Sequence, residues 1–486
     1  MTRMEALRAS AADISGAGRG HTAPADASRS SERPILSTAI LDGPILPQLL
    51  RLALPILIVL AVQTLVSIAE TYFVGFLGTD ALAGVALVFP TLMLMTMMSN
   101  GGIGGGVASA IARAVGAGRM RDADALVGHT VVVAIVFGVL FTAAFVGGGA
   151  ALYAALGGRD EVLANALRYS NLVFGAAVLI WITNLLAAAL RGAGNVRVPA
   201  ILTAVGAVIT LAFSPLLIFG WGPVPRFGVA GAGYAMILYY AIATTALMVY
   251  LRSSRAPVRL TRTRIEWRLL KDILGVGILS AIGTVVANLT VVLATGYVGS
   301  FGGAAIAGYG MGSRLDYVLI PLLFALGTAS LTMVGTNVGA GQMRRARRIA
   351  WIAAFVSAGA TGLIGLCAAL APASWIGLFS REPDVIRVGV DYLHRAAPFY
   401  AFYGFGMALY FASQGAGKVT WPLIAGCIRL AIVTLGGWYW TAVLGGSLQG
   451  FFWIIAASLV AFGLINAGTF ATGLSWSRVM PSVSRI

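Results

Sequence analysis

Apolar residues fill this chain in long runs rather than in alternation. From Gln48 onward, stretches of about 20 or more mostly apolar residues recur, and short segments between them hold the charges. A helix that crosses lipid needs a run of this length, because its backbone N–H and C=O groups must be satisfied within the segment itself. Twelve runs meet the condition, at about 48–73, 81–108, 125–150, 166–190, 196–219, 229–251, 271–298, 304–335, 348–372, 392–412, 420–444 and 450–475. The pattern predicts an all-α membrane protein with twelve transmembrane helices. Glycine and proline interrupt the stretches at 196–251 and 392–444, which are the least regular.

Residues 1–44 break this pattern. They are rich in Ala, Ser, Arg and Gly, and no apolar run long enough for a secretory signal precedes Ile45. They read as a disordered cytoplasmic tail. The remaining expectations are a first lobe at 45–251, a cytoplasmic linker at 252–270, a second lobe at 271–475 and a cytoplasmic tail at 476–486.

The charges then give an orientation. Of 486 residues only 10% are charged, against roughly a quarter in soluble domains. The net charge of +16 is not a nucleic-acid signature, because it sits between apolar runs. Arg113, Arg119 and Arg121 follow the second run, Arg191 and Arg197 the fourth, and seven basic residues from Arg252 to Lys271 the sixth. Arg344, Arg345, Arg347 and Arg348 follow the eighth, and Lys418 the tenth. The alternate loops hold only Arg159, Arg226, Arg381 and Arg387. Basic residues mark cytoplasmic loops, so both termini are expected in the cytoplasm of a multi-pass plasma (inner) membrane protein. Cys367 and Cys427 lie within apolar runs, offer no disulfide framework or metal spacing, and read as small buried hydrophobes.

The chain also repeats itself. Val115-Gly-Ala-Gly-Arg-Met-Arg-Asp-Ala123 recurs as Val338-Gly-Ala-Gly-Gln-Met-Arg-Arg-Ala346, and Arg191-Gly-Ala-Gly recurs as Gln414-Gly-Ala-Gly, both at an offset of 223. Ala83-Gly84 and Ala307-Gly308 follow at 224. Each Gly-Ala-Gly reads as a helix end, with glycine supplying a left-handed cap and the nearby Arg or Lys facing the last carbonyls. Six spans per repeat return the chain to its starting side. The halves must therefore be parallel repeats about an axis along the membrane normal, with a substrate site between them.

These residues resemble those of the multidrug and toxic compound extrusion (MATE) family, over about 48–475. Pro55, Gln63 and Glu70-Thr71 resemble the family's Pro, Gln and Asp-Thr pattern in its first span. Val74-Gly-Phe-Leu-Gly-Thr-Asp-Ala-Leu-Ala-Gly84, Arg191-Gly-Ala-Gly, Pro215-Leu-Leu-Ile-Phe-Gly220, Arg314 and Gly335 with Gly339-Ala-Gly341 follow in the family's order. The resemblance implies a V-shaped pair of lobes and secondary active efflux of drugs or organic compounds, cationic or amphipathic, in exchange for protons or sodium ions. It implies no cofactor. A monomer embedded in the lipid bilayer is expected.

An ionisable residue at lipid depth is a functional hypothesis by default. Glu70 is the leading one. Desolvation disfavours its charged form, so it can take up a proton, and the resemblance puts it at the family's coupling position. The bland alternative is a solvated interfacial Glu. The family's second acid in the fifth span is replaced by Ser214, and Thr210 stands where Asn is usual. One carboxylate with uncharged neighbours suits a proton better than a metal cation, which prefers several oxygen ligands. The positions of the sodium-coupled branch align with Val285 and Tyr403, both uncharged. Asp316 is the other intramembrane acid. Arg314, two residues away, lies on a different helix face, so Arg429 is its expected partner in a structural ion pair, with a substrate or second proton site as the alternative. Gln63, Asn184 and Asn288 are cavity candidates or interhelical hydrogen-bonding groups. Met93, Met95, Met97 and Met98, and the aromatic face from Tyr400 to Phe411, suit varied apolar or cationic ligands or ordinary packing.

Three other classes fit less well. A lipid-linked oligosaccharide flippase of the same superfamily needs a basic central cavity, and Arg314 and Arg429 are the main intramembrane cations. A membrane enzyme needs clustered His, Asp, Glu or Cys, and only three His are present, with no metal spacing. A channel does not require two hinged lobes.

Overall fold

The computed structural model describes residues 35–476. Its architecture is all-helical, with twelve rods in chain order. Ten are long and apolar enough to cross a membrane: Ile45–Gly75, Thr79–Gly116, Met120–Ala155, Arg197–Phe219, Val229–Arg252, Trp267–Gly299, Gly303–Gly339, Met343–Leu370, Thr420–Val443 and Leu448–Ala471. The fourth rod is a bent pair, Asp160–Gly175 and Ala177–Gly192, meeting at 50°. The tenth is Pro383–Ala396, a 3₁₀ turn at Ala397–Phe399, and Tyr400–Gly415. Its first part carries the ion pairs Arg387–Asp384 at 2.9 Å and Arg395–Asp391 at 2.7 Å, so apolarity alone marks only its second part. The expected run at 392–412 was therefore too short.

The four Gly-Ala-Gly turns end helices as expected. Their last glycines, Gly118, Gly194, Gly341 and Gly417, all take positive φ between 70° and 84°. In each turn the N–H after the glycine reaches back to a carbonyl five residues earlier, as in Arg119 to Ala114 at 2.9 Å and Lys418 to Ser413 at 2.8 Å. This is the Schellman closure, which satisfies carbonyls at a helix end.

The first glycine of each turn has a different job. A Cβ on Gly116 would stand 1.9 Å from the Thr336 carbonyl oxygen, and one on Gly339 would stand 2.1 Å from that of Arg113. These are mirror contacts, since 113 and 336, like 116 and 339, differ by the repeat offset. Gly192 against Ala108 and Gly415 against Leu331 form a second such pair, one inside each half. The second and eighth spans thus cross backbone to backbone about the repeat axis.

The offset itself has a structural cause. It is 224 near Ala83 and 223 near Val115, so the first half holds one residue more between them. The second span contains a π-helical turn at Met98–Gly102, the arrangement that absorbs one extra residue in a helix.

Polar contacts between the halves gather at the end of the bundle that carries the arginine-rich loops, the basic end. Ser109 donates to the Gln414 carbonyl, Thr332 to the Arg191 carbonyl at 3.0 Å, and Gln414 Nε2 to the Gly101 carbonyl at 2.9 Å. Arg113 pairs with Asp272 at 2.5 Å, and Arg268 with Asp122 at 3.0 Å. The start of each half's first span also packs into the other half's core. Leu49, Leu52 and Ile56 join Ala325, Ala329 and Met333, while Leu269, Ile273 and Ala281 join the first half. Farther from the basic end, Asn288 Nδ2 to Met97 Sδ at 3.6 Å is the last hydrogen bond between halves among the described residues. The result is a V with its apex at the basic end.

The structure departs from expectation at both ends and at the cysteines. Residues 1–34 of the supposed tail lie outside the described residues, but Ile35–Asp42 is a helix. Ile40 is buried over Gly194, its carbonyl accepts from Asn337 at 3.4 Å, and Arg345 donates to the Gly43 carbonyl, so this stretch touches both halves. Of 476–486, Trp476 is buried edge-on against Phe470, and 477–486 lie outside the described residues. Cys367 and Cys427 are exposed on helix flanks rather than buried.

The crossing predicts its own sensitivity. Gly116→Ala should destabilise the fold by about 1–3 kcal/mol, as overpacking does, and open the basic end. Thermal unfolding, together with thiol labelling of a cysteine placed at Thr336, measures both. An unchanged melting temperature and unchanged labelling would show that the crossing is slack.

Candidate functional site

The residues singled out in the sequence lie on the first, second, fourth, fifth, seventh, eighth, tenth and eleventh spans, away from the crossing. Glu70 sits a little over one turn before the first span ends at Gly75, because the helix runs unbroken through Pro55 and beyond. It is half-buried. Among the described residues its carboxylate has no hydrogen-bond or ion-pair partner. The buried phenols of Tyr169 on the fourth span and Tyr240 on the sixth lie within its electrostatic reach.

The polar residues expected around Glu70 are not gathered on it in this conformation. Gln63 lies two turns earlier and is exposed. Asn184 is buried and donates to Ser99 at 2.8 Å. Thr210 and Ser214 lie four residues apart on one buried face of the fifth span, and the Ser214 Oγ has no partner. Sequence reading named the residues on these helices but could not give their rotations. It missed two polar pairs between helices of the first half, Tyr153 with Ser170 at 2.8 Å and Thr183 with Thr244 at 2.7 Å, for which runs of apolar residues carry no signal.

In the second half, Asp316 is half-buried and hydrogen-bonded to the Tyr400 hydroxyl. Arg429 is within electrostatic reach, but no direct ion pair joins the two. Its guanidinium lies 4.9 Å over the Tyr403 ring instead, a contact of about 0.5–2 kcal/mol. The expected Asp316–Arg429 ion pair is thus replaced by two aromatic mediators. Tyr392 is 3.5 Å from Tyr400 and edge-on to Tyr309 at 5.0 Å, so the acid closes a cluster of tyrosines. Arg314 lies 5.1 Å over Phe379, away from Asp316. Val285 is exposed, and Asn288 is exposed beside Met97. Met95 is buried, while Met93, Met97 and Met98 are half-buried.

Comparison with known proteins decides what holds these groups. The MatE family model matches residues 55–216 and again 278–440. The chain belongs to the MatE family. The two MatE matches begin 223 positions apart, in step with the repeat. The chain is 28% identical over 360 residues to an FAD transporter of Shewanella oneidensis, covering 72% of this chain and 77% of that protein. It is 25% identical over 379 residues to a probable multidrug resistance protein of Bacillus subtilis, covering 76% and 81%. A crystal structure of MATE in the bent conformation superposes with a TM-score of 0.81 at 23% identity, covering 90% of this chain and 97% of that one. The MatE membership makes the protein a multi-pass membrane transporter of small molecules.

Ser214 offers a direct check on the fifth-span face. Its hydroxyl has no partner to lose, so Ser214→Ala should leave thermal stability within about 1 kcal/mol of the parent. Calorimetry of the solubilised protein reads this. A loss of several kcal/mol would mean that the hydroxyl has a partner after all.

Proposed function

We propose that this protein exports organic compounds, cationic or amphipathic, by antiport with protons, and that Glu70 is the coupling group. One observation carries the reading. Glu70 is a carboxylate in the spanning region with neither an ion pair nor a hydrogen bond among the described residues. Such a group is more readily neutralised by a proton than left charged in a medium of low polarity. Protonation and release then bias two arrangements of the first span against the fourth and sixth, which is what alternating access requires.

The basic end faces the cytoplasm in this reading, with both termini there. The described conformation is then outward-open, its seam closed on the cytoplasmic side. The protein acts as a monomer, with each lobe at 45–251 and 271–475 moving as a body about the linker. Gln63, Thr210, Ser214, Asn184, Asn288, Asp316 and Tyr403 line the path or support its walls. A sodium site in the second half is disfavoured by the guanidinium stacked on Tyr403, since two cations would share the space.

Everted membrane vesicles under an imposed pH gradient, with and without sodium, test the coupling. Glu70→Gln keeps the shape and fixes the uncharged form, so pH-driven export should fall to near background. Glu70→Asp should retain part of it. A panel of dyes and drugs, with FAD added because of the Shewanella relative, samples the substrate. Normal transport by Glu70→Gln, driven by sodium alone, would falsify the proton assignment and turn attention to Asp316.

A further inference from the structure

At the apex of the V the two halves enclose a small hollow with room for about one water molecule. Its wall is built from repeat mates. Ala108 and Leu331, Ala188 and Phe411, and Arg191 and Gln414 all line it, and each pair stands 223 positions apart. The hollow therefore lies on the axis that relates the halves, where they must part if the basic end opens.

The symmetry fails in charge. Gln414 is neutral, and its Nε2 is already committed to the Gly101 carbonyl and to Ser280 at 2.8 Å. Arg191 is a full cation, only 9% exposed. Its one hydrogen bond from the guanidinium is a long contact to Asn100 Oδ1 at 3.4 Å, and among the described residues no carboxylate pairs with it. Glu70 lies beside Tyr169 and Tyr240, and Asp316 beside Tyr400 and Arg429, and neither lines the hollow. Sequence reading had put Arg191 in a loop, facing helix-end carbonyls. A buried cation without a counter-charge is strongly unfavourable, and the local groups satisfy it only in part.

We infer that the hollow is a subsite for one acidic oxygen, a carboxylate or phosphate group, with Arg191 as its counter-charge and Asn100 beside it. The acid group comes either from the transported compound or from a free ion such as phosphate. Closing the seam around Arg191 is then favoured when that group is present. The site is independent of proton coupling at Glu70 and can be read without any gradient.

The experiment uses the full-length protein in lipid nanodiscs, with a rhodamine free acid and its methyl ester as probes and fluorescence anisotropy as the readout. The free acid should bind about tenfold more tightly than the ester, as one charge-assisted contact provides. Arg191→Gln should abolish that preference without weakening the ester, and Arg191→Lys should keep part of it. Should Arg191→Gln not fold, Asn100→Asp gives Arg191 an internal carboxylate at the contact already present, and it should cancel the preference just as well. Inorganic phosphate separates the two sources. A rise in the melting temperature of the parent, absent from the Arg191 and Asn100 variants, without a dye preference, assigns the site to a free ion. If the parent shows neither effect, or the dye preference survives in Arg191→Gln, the hollow holds only water and the inference is overturned.

Discussion

Four glycines let the backbones of this protein touch. Lipid chains are as apolar as leucine, so spanning helices gain little by hiding apolar side chains from lipid, and close packing has to hold them instead. Gly116 against Thr336 and Gly339 against Arg113 place two helices closer than any side chain permits. The hydrogen bonds from Ser109 and Gln414, the Arg113–Asp272 pair and the enclosed hollow all depend on that approach. So does the cleft above it, because the halves diverge from where they cross. Such a contact is either made or broken, and packed interfaces of this kind support two states rather than a continuum.

Much of this was legible in the residues. Twelve apolar runs, the 223-residue offset and the Gly-Ala-Gly helix ends follow from run length, self-similarity and the left-handed angles that glycine accepts. Other features depend on helix rotation and tilt, which a linear reading does not contain. The first glycine of each turn gave no sign that it was a crossing point as well as part of a cap. Arg191 was counted among the loop cations, yet it lies in the last turn of the fourth span with its side chain turned inward. The tenth span was read short because Asp384, Arg387, Asp391 and Arg395 interrupt its apolarity, while the helix tolerates them by pairing them with each other. Ile35–Asp42 was lost in a tail whose overall composition is polar, although its own apolar residues are enough to dock one turn.

Duplication has left the two halves alike in frame and different in chemistry. Tyr169 and Tyr392 are repeat mates, and each lies near a half-buried acid of its own half, Glu70 or Asp316. In the first half nothing cationic joins the pair among the described residues. In the second, Arg429 stands close by, held over Tyr403. The same scaffold thus sets one acid beside phenols alone and the other beside phenols with a cation in reach.

The segment joining the halves bears on how they can move. Arg259 N–H donates to Asp124 at 2.7 Å, Glu266 N–H to His129 at 2.8 Å, and Ala256 and Val258 are buried. The connection is therefore not a slack string but a strip glued along the third span as far as Glu266. The free length of tether is close to nil, and since Leu269, Ile273 and Ala281 join the first half's core as well, any pivot lies beyond them, within the seventh span. A joint of that kind lets the second half swing while forbidding it to slide, so the path between conformations is closer to a door on its hinge pin than to two bodies drifting apart.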